Sequence, residues 1–420
     1  DQVQLFICPY TKMYNLDNLS NLDKLAVEKF QEYLRIPSVH PNVNYDGCVN
    51  FLESYANELN LQFNVFRCFP EKPVVILTWP GTEPNLPSVM LNSHMDVVPV
   101  FEDKWTYGPF SAHIDENGNI YARGTQDTKC LGVQYLEAIR RLQRNKIRLR
   151  RTIHVSFVPD EEIGGLEGMK AFVQSSDFKD LNVGFALDEG VPSEKDGFFV
   201  FASEKYGWKF SIHCPGTPGH GALMLDNTAG EKVQYLLRKF YELRKESKSR
   251  IKSIFDYGNV ISVNLTMIKG GVQNNVLPSE LIIVFDTRIP PFINEKEWED
   301  TITTWCKEAG EDIWIEYHLK EPSVEPTKLD ESNPFWMAFK NCIEKKGKLE
   351  VKIMPGCTDA RFLREVGVPS IGFSPNHSTP IRAHADDEFL NVNVFLCGII
   401  GNDGNGTILL DTIKTNNIDA

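Results

Sequence analysis

Val89-Met90-Leu91-Asn92-Ser93-His94-Met95-Asp96-Val97-Val98-Pro99 is an apolar run that ends in a histidine, with a carboxylate two residues further on. It reads as a buried strand that delivers chemistry at its tip. Side chains two apart on an extended chain share a face, so Asp96 is expected to accept a hydrogen bond from the His94 ring nitrogen not turned to a metal. One His-x-Asp triplet is weak evidence of a site, and it gains meaning when other strands end in ligands too.

They do. Residues 152–158 form another apolar run, which empties into Asp160-Glu161-Glu162-Ile163-Gly164-Gly165, and the run 183–187 ends at Asp188-Glu189-Gly190. Arg123-Gly124-Thr125-Gln126-Asp127 is a turn that opens a helix with Leu131, Tyr135, Ala138, Ile139 and Leu142 on one face. Upstream, residues 20–36 and 46–59 have helical spacing, with Ser20 and Asp23 set as a capping box, and 62–69 and 74–79 read as strands. Strands alternating with helices predict an α/β fold with a largely parallel mixed sheet flanked by helices. In such folds ligand sites gather at the carboxyl ends of strands.

The rhythm changes near Phe201. Strand 206–214, helix 228–246, strands 260–268 and 281–286, helix 294–309 and strand 313–319 spell β-α-β-β-α-β, the order of a ferredoxin-like α+β module. The expected organisation is therefore a catalytic domain in two segments, 1–201 and 321–420, interrupted by an inserted module at 202–320. Two further helix–strand pairs, 334–354 and 359–373, complete the first sheet. The Gly- and Asn-rich tail from residue 398 is expected to be loosely ordered.

With 420 residues, two domains are the natural prior. A net charge of −13 argues against nucleic acid and anionic membranes as partners, and no apolar run is long enough to span a bilayer. Nine scattered cysteines without a CxxC pair suit reduced thiols, hence a cytoplasmic location. Gly-x-Ser-x-Gly, phosphate-binding glycine loops and His-Glu-x-x-His are all missing, which leaves serine-nucleophile, nucleotide and gluzincin chemistry unsupported.

Collected in order, the candidates are His94, Asp96, Asp127, Glu161, Glu162, Asp188 and His384. Two imidazoles with several carboxylates are a donor set that zinc accepts in hydrolytic sites, and an aspartate among them could bridge two ions. Two ions about 3.5–4 Å apart can activate water and polarise a carbonyl. Adjacent Glu161 and Glu162 can divide the work, one binding metal and the other acting as general base. His113, His154, His213 and His318 read as structural.

Ser93-His94-Met95-Asp96, Gly124-Thr125-Gln126-Asp127-Thr128-Lys129, Asp160-Glu161-Glu162-Ile163-Gly164 and Leu187-Asp188-Glu189-Gly190 resemble the metal motifs of a family of zinc hydrolases. It comprises the aminoacylases, the acetylornithine deacetylases and the succinyl-diaminopimelate desuccinylases. The likeness runs from about Asp17 to Leu396. Tyr121-Ala122-Arg123-Gly124, Gly184-Phe185-Ala186-Leu187-Asp188-Glu189-Gly190 and Gly372-Phe373-Ser374-Pro375 are among the stretches that draw it toward the aminoacylase branch.

The resemblance implies two zinc ions per chain: Asp127 bridging, His94 and Asp188 completing one site, and Glu162 and His384 the other, with His377 a rival for the last place. It makes Glu161 the general base and keeps Asp96 as the supporting partner of His94. It further implies a homodimer formed through the insertion, His220 stabilising an oxyanion in the partner's site, and Asn275 and Arg361 holding substrate, the latter by its carboxylate. A cis peptide at Asp127-Thr128 belongs to the same pattern. The implied reaction is hydrolysis of N-acyl-L-amino acids to a carboxylate and a free amino acid. Dipeptides and acylated ornithine or diaminopimelate remain alternative substrates by motif alone, and a catalytically inactive metal-binding scaffold is the alternative from another class.

Overall fold

In a computed structural model of the chain, which describes residues 19–400, the first element is a capped helix. The Ser20 hydroxyl accepts the Asp23 amide at 3.2 Å, and helix Asn21–Leu34 follows, burying Ala26, Val27, Phe30, Tyr33 and Leu34. Helix Asp46–Glu58 buries Phe51, Leu52 and Tyr55. Strand Gln62–Phe69 is solvated along one edge, whereas Ser88–His94 and Ile153–Val158 are buried at every position. Strands covered by helices on both faces lose the alternation of polar and apolar residues, which is why these two read as continuous apolar runs.

The main sheet has eight strands in the order Gln62–Phe69, Lys72–Trp79, Ile153–Val158, Ser88–His94, Val183–Asp188, Ser370–Phe373, Phe198–Glu204 and Leu349–Met354. Ser88–His94 is parallel to both its neighbours, and Ser370–Phe373 is parallel to Val183–Asp188. Antiparallel pairings flank this parallel centre. The expected mixed sheet is present, and its parallel centre brings the carboxyl ends beyond His94, Val158 and Asp188 to one edge. Strand Phe198–Glu204 was not anticipated, because its apolar run sits where the pattern shifts toward the insertion.

By compactness the chain divides into two units. One comprises residues 1–202, 327–351 and 358–420; the other comprises 203–326 and 352–357. The second holds an antiparallel sheet ordered Ser262–Gly270, Glu280–Ile289, Tyr206–Pro215, Trp314–Lys320, with helices Ala229–Ser249 and Glu295–Ala309. Its own core is built from Trp208, Phe210, Ile212, Phe240, Phe285 and Trp298 among others. The short segment 352–357 falls with this unit because Lys205 N donates to the Met354 carbonyl at 3.2 Å and the Cys357 thiol to the Lys205 carbonyl, also at 3.2 Å.

Helix Val392–Ile400 runs past Gly398, against the expectation of a loose tail from that point, because the Phe395 ring stacks on Phe30 at 4.4 Å. The remainder of the expected tail, from residue 401, lies outside the described residues. The eight described cysteines form no disulfide.

Helix Lys129–Arg144 packs on the sheet through a glycine. A Cβ at Gly132 would lie 2.4 Å from Phe157 Cε1 and 3.2 Å from Ser93 Oγ. Phe157 is wholly buried and has no room to yield. Gly132→Ala is expected to destabilise by about 1–3 kcal/mol through overpacking, read as a lower urea midpoint; an unchanged midpoint would refute the close-packing argument.

Candidate metal centre

His94 stands at the last rung of its strand, opposite Val158. Its Nδ1 lies 2.8 Å from the Asp96 carbonyl oxygen. A carbonyl can only accept, so Nδ1 carries the proton and Nε2 faces the site. That nitrogen is 3.0 Å from Asp127 Oδ1 and 3.4 Å from Glu189 Oε2. The other Asp127 oxygen is 3.0 Å from His384 Nε2, which is itself 3.1 Å from Glu162 Oε2. One carboxylate thus spans two imidazoles. His94, Asp127 and Glu162 have ligand atoms within 4.8 Å of one another, as do His94, Glu161 and Glu189.

Two expectations need correcting. Asp188 is not among these groups: Leu91 pairs with Leu187, so the next rung sets Asp188 beside Asn92, whose Nδ2 donates to its Oδ1 at 2.8 Å. Glu189, one residue beyond, reaches His94 instead. Successive side chains on an extended chain face opposite ways, and the dipeptide Asp188-Glu189 does not itself say which is turned inward.

The second correction concerns Asp96. Its carboxylate does not take the His94 proton, since Oδ1 is 3.8 Å from Nδ1 and the main-chain carbonyl has that role. The strand ends at His94, so same-face geometry no longer holds two residues on. Asp96 instead accepts the amides of Glu161 at 3.2 Å and Glu162 at 3.1 Å, and His40 Nε2 at 2.8 Å.

Asp127 opens helix Lys129–Arg144, and its peptide bond to Thr128 is cis, as expected. The loop before it is held by Glu388, which is completely buried. Glu388 accepts from Arg123 Nη1 at 2.8 Å and from the amides of Gly124, Gln126 and Asp127 at 3.2, 2.7 and 3.3 Å. Arg123 also donates to the carbonyls of Ala385 and His384. The loops that carry Asp127 and His384 are therefore tied through one buried ion pair.

Charge is unevenly distributed here. Burial raises the Glu161 carboxyl well above the usual range, and neighbouring Glu189 adds to the effect. Burial, with the charge of Asp127, pushes Glu189 up to about 8. Hydrogen bonds that the His384 ring donates to the Asp127 and Glu162 carboxylates raise it to about 10. Burial works against a charged His94, yet Glu189 and Asp127 together lift it well above an ordinary imidazole. Carboxylates outnumber the imidazoles that could neutralise them, which is an environment that attracts cations. Glu162 Oε1 is buried with no hydrogen-bond partner among the described residues, as a ligand atom would be. Two imidazoles and the carboxylates of Asp127, Glu161, Glu162 and Glu189 form a nitrogen and oxygen set that fits zinc.

The other candidates lie as follows. Arg361 donates from Nη2 to the Gly164 carbonyl at 2.9 Å, in the loop that carries the two glutamates. His220 and Asn275 meet in the second unit on a short ribbon: His220 pairs with Val276, and the Gly221 amide donates to the Asn275 carbonyl at 2.7 Å. His377 lies 3.1 Å from the Ser378 hydroxyl and edge-on to Phe198, outside the groups above. His154 bonds Thr78 and the Leu181 carbonyl. His213 sits between Glu280 and Glu316, partners that only strand pairing brings to it. Sequence reasoning missed His40 altogether, because nothing around it in the chain signals a partner 56 residues away.

The model of "Peptidase family M20/M25/M40" matches residues 90–400. The chain belongs to this family. Among M20/M25/M40 relatives, it is 45% identical to aminoacylase-1 of Homo sapiens over 379 residues, covering 89% of this chain and 92% of that protein. It is 41% identical to aminoacylase-1 of Dictyostelium discoideum over 388 residues, covering 89% and 94%. An M20 family metallo-carboxypeptidase from Sulfolobus solfataricus has a similar fold, with a TM-score of 0.67 at 17% identity over 93% of this chain and 98% of that one. A dinuclear metal-binding M20 peptidase of Bacillus subtilis gives a TM-score of 0.66 at 12% identity, over 93% and 97%.

Removing Glu388 would leave the Arg123 guanidinium and three loop amides without their buried acceptor. Glu388→Ala is expected to cost about 3–5 kcal/mol, measured as a lowered thermal unfolding midpoint. A loss under about 1 kcal/mol would show the ion pair to be incidental.

Proposed function

We propose that the protein is a di-zinc amidohydrolase that cleaves N-acyl-L-amino acids to a carboxylate and a free L-amino acid. The observation that carries this reading is Asp127, whose two oxygens each lie 3.0 Å from a different imidazole nitrogen, on His94 and on His384. The name of the 45%-identical human relative supplies the substrate class. Asp127 would be shared, His94 and Glu189 would complete one position, and His384 and Glu162 the other. Zinc bound there supplies Lewis-acid polarisation of the scissile carbonyl and acidifies water.

The chain's own residues do the rest. Glu161 takes the proton of the attacking water and passes it to the departing nitrogen. Asp96 holds the amides from which both glutamates project. Arg361 provides a guanidinium fork for the substrate carboxylate, and Asn275 a polar contact to substrate.

Glu161→Gln is expected to keep two zinc ions per chain while lowering kcat on N-acetyl-methionine by at least about a hundredfold. Turnover near the parent's would remove Glu161 from the role of base, and a clear preference for dipeptides over acyl amino acids would overturn the substrate assignment.

We further infer a cytoplasmic homodimer. Eight described cysteines without a disulfide suit a reducing compartment. No helix among the described residues is long and apolar enough to cross a membrane. Around His220, Leu223, Met224 and Val272 are 55, 103 and 88% exposed, an apolar rim of the kind that association covers. Through it His220 would reach the partner's site and stabilise the oxyanion. Light scattering is expected to give twice the chain mass of 47.8 kDa; a monomer at working concentration would refute the dimer.

A further inference from the structure

Glu161 and Glu162 project from a single turn of 3-10 helix, Glu161–Ile163, rather than from a strand, so something other than sheet pairing must hold their backbone. Their amides end on the Asp96 carboxylate. The residue before them, Asp160, has φ +63°, in the left-handed region that a non-glycine residue enters only when its surroundings hold it there.

Both supports trace to one segment, residues 38–45, between the first two helices. The Ser38 hydroxyl donates to the Met95 carbonyl at 2.5 Å, the Val97 amide to the Ser38 carbonyl at 2.9 Å, and the His40 amide to the Val97 carbonyl at 3.2 Å. The segment is thereby stitched to the chain just beyond His94. From it His40 Nε2 donates to Asp96 Oδ2 at 2.8 Å, with the two side chains 8% and 0% exposed. Five residues on, the Tyr45 hydroxyl donates to Asp160 Oδ1 at 2.7 Å and accepts the Asp160 amide at 3.0 Å.

We propose that His40 and Tyr45 are positioning residues, which act through Asp96 and Asp160 to set the turn that carries Glu161 and Glu162. The proposal rests on the functional reading above only for the chemistry of those two glutamates. His40, Asp96 and Asp160 also have the spacing of a third cation site. However, Lys72 Nζ already sits 2.6 Å from Asp160 Oδ2, and Asp96 is committed to two amides. The lysine stands where a cation would, so holding the turn is the use these contacts serve.

The test uses the full chain and three variants: His40→Ala, His40→Gln, which keeps a side-chain N–H toward Asp96, and Tyr45→Phe, which removes one oxygen. Zinc affinity is read by competition with a chromophoric chelator, alongside kcat and KM on N-acetyl-methionine. His40→Ala is expected to weaken zinc binding and to lower kcat by about 10–100-fold, as loss of a ligand-supporting contact does. KM should stay within about threefold, with His40→Gln recovering most of both losses, because only positioning in the turn has changed. Tyr45→Phe should lower kcat at least about fivefold while the protein stays folded. If His40→Ala keeps zinc affinity and kcat within about twofold, or if Ala and Gln lose equally, His40 merely fills space and the proposal falls. Tyr45→Phe with unchanged kcat removes Tyr45 from it. A parent protein that binds zinc yet hydrolyses no acyl amino acid would sink the functional reading instead, and the chelator competition would still decide the role of His40.

Discussion

Carboxylates crowding two imidazoles, one buried on His94 and one half-exposed on His384, constitute the constraint around which this protein is built. Asp127, Glu161, Glu162 and Glu189 repel one another wherever water is scarce, and His94 and His384 balance only part of that charge. Such a cluster does not hold itself together. Either cations neutralise it or the surrounding chain must prevent it from opening, and a protein that binds and exchanges metal needs the second condition met before the first.

The supports follow a common plan. Where a candidate ligand lies on a regular strand, as with His94, sheet pairing fixes it. Where a candidate site residue lies on a turn, a buried carboxylate gathers the amides of that turn: Glu388 for the loop that ends at Asp127, and Asp96 for Glu161 and Glu162. A buried carboxylate that accepts several main-chain amides fixes the turn they belong to, and each N–H dipole offsets part of its desolvation cost. Arg123 adds a second function by reaching the carbonyls of His384 and Ala385, so the position of the Asp127 loop depends on that of the His384 loop.

Much of this was readable from the chain. The strand runs ending at His94 and Val158, the acid pair after the latter and the helix beginning beyond Asp127 carry local signals of period and punctuation, and the structure keeps those elements within a few residues. The β-α-β-β-α-β order of the insertion was legible for the same reason, since each element buries one face and shows it in its spacing. Asp188 was misread because choosing between two adjacent acids requires the register of Leu91 against Leu187, and register is a property of two strands. His40 gave no signal at all, since its partner Asp96 is 56 residues away and the contact exists only after residues 38–40 dock beside Met95–Val97.

Sequence alone determined the kinds of atoms available, the elements bearing them and the sheet edge at which they collect, because periodicity and chemical type are local properties. Tertiary structure decided which oxygen faces which nitrogen: Glu189 rather than Asp188, the Asp96 carbonyl rather than its carboxylate, and His40 behind both glutamates. Distances of about 3 Å between remote residues depend on strand register and loop docking, which the one-dimensional pattern does not encode.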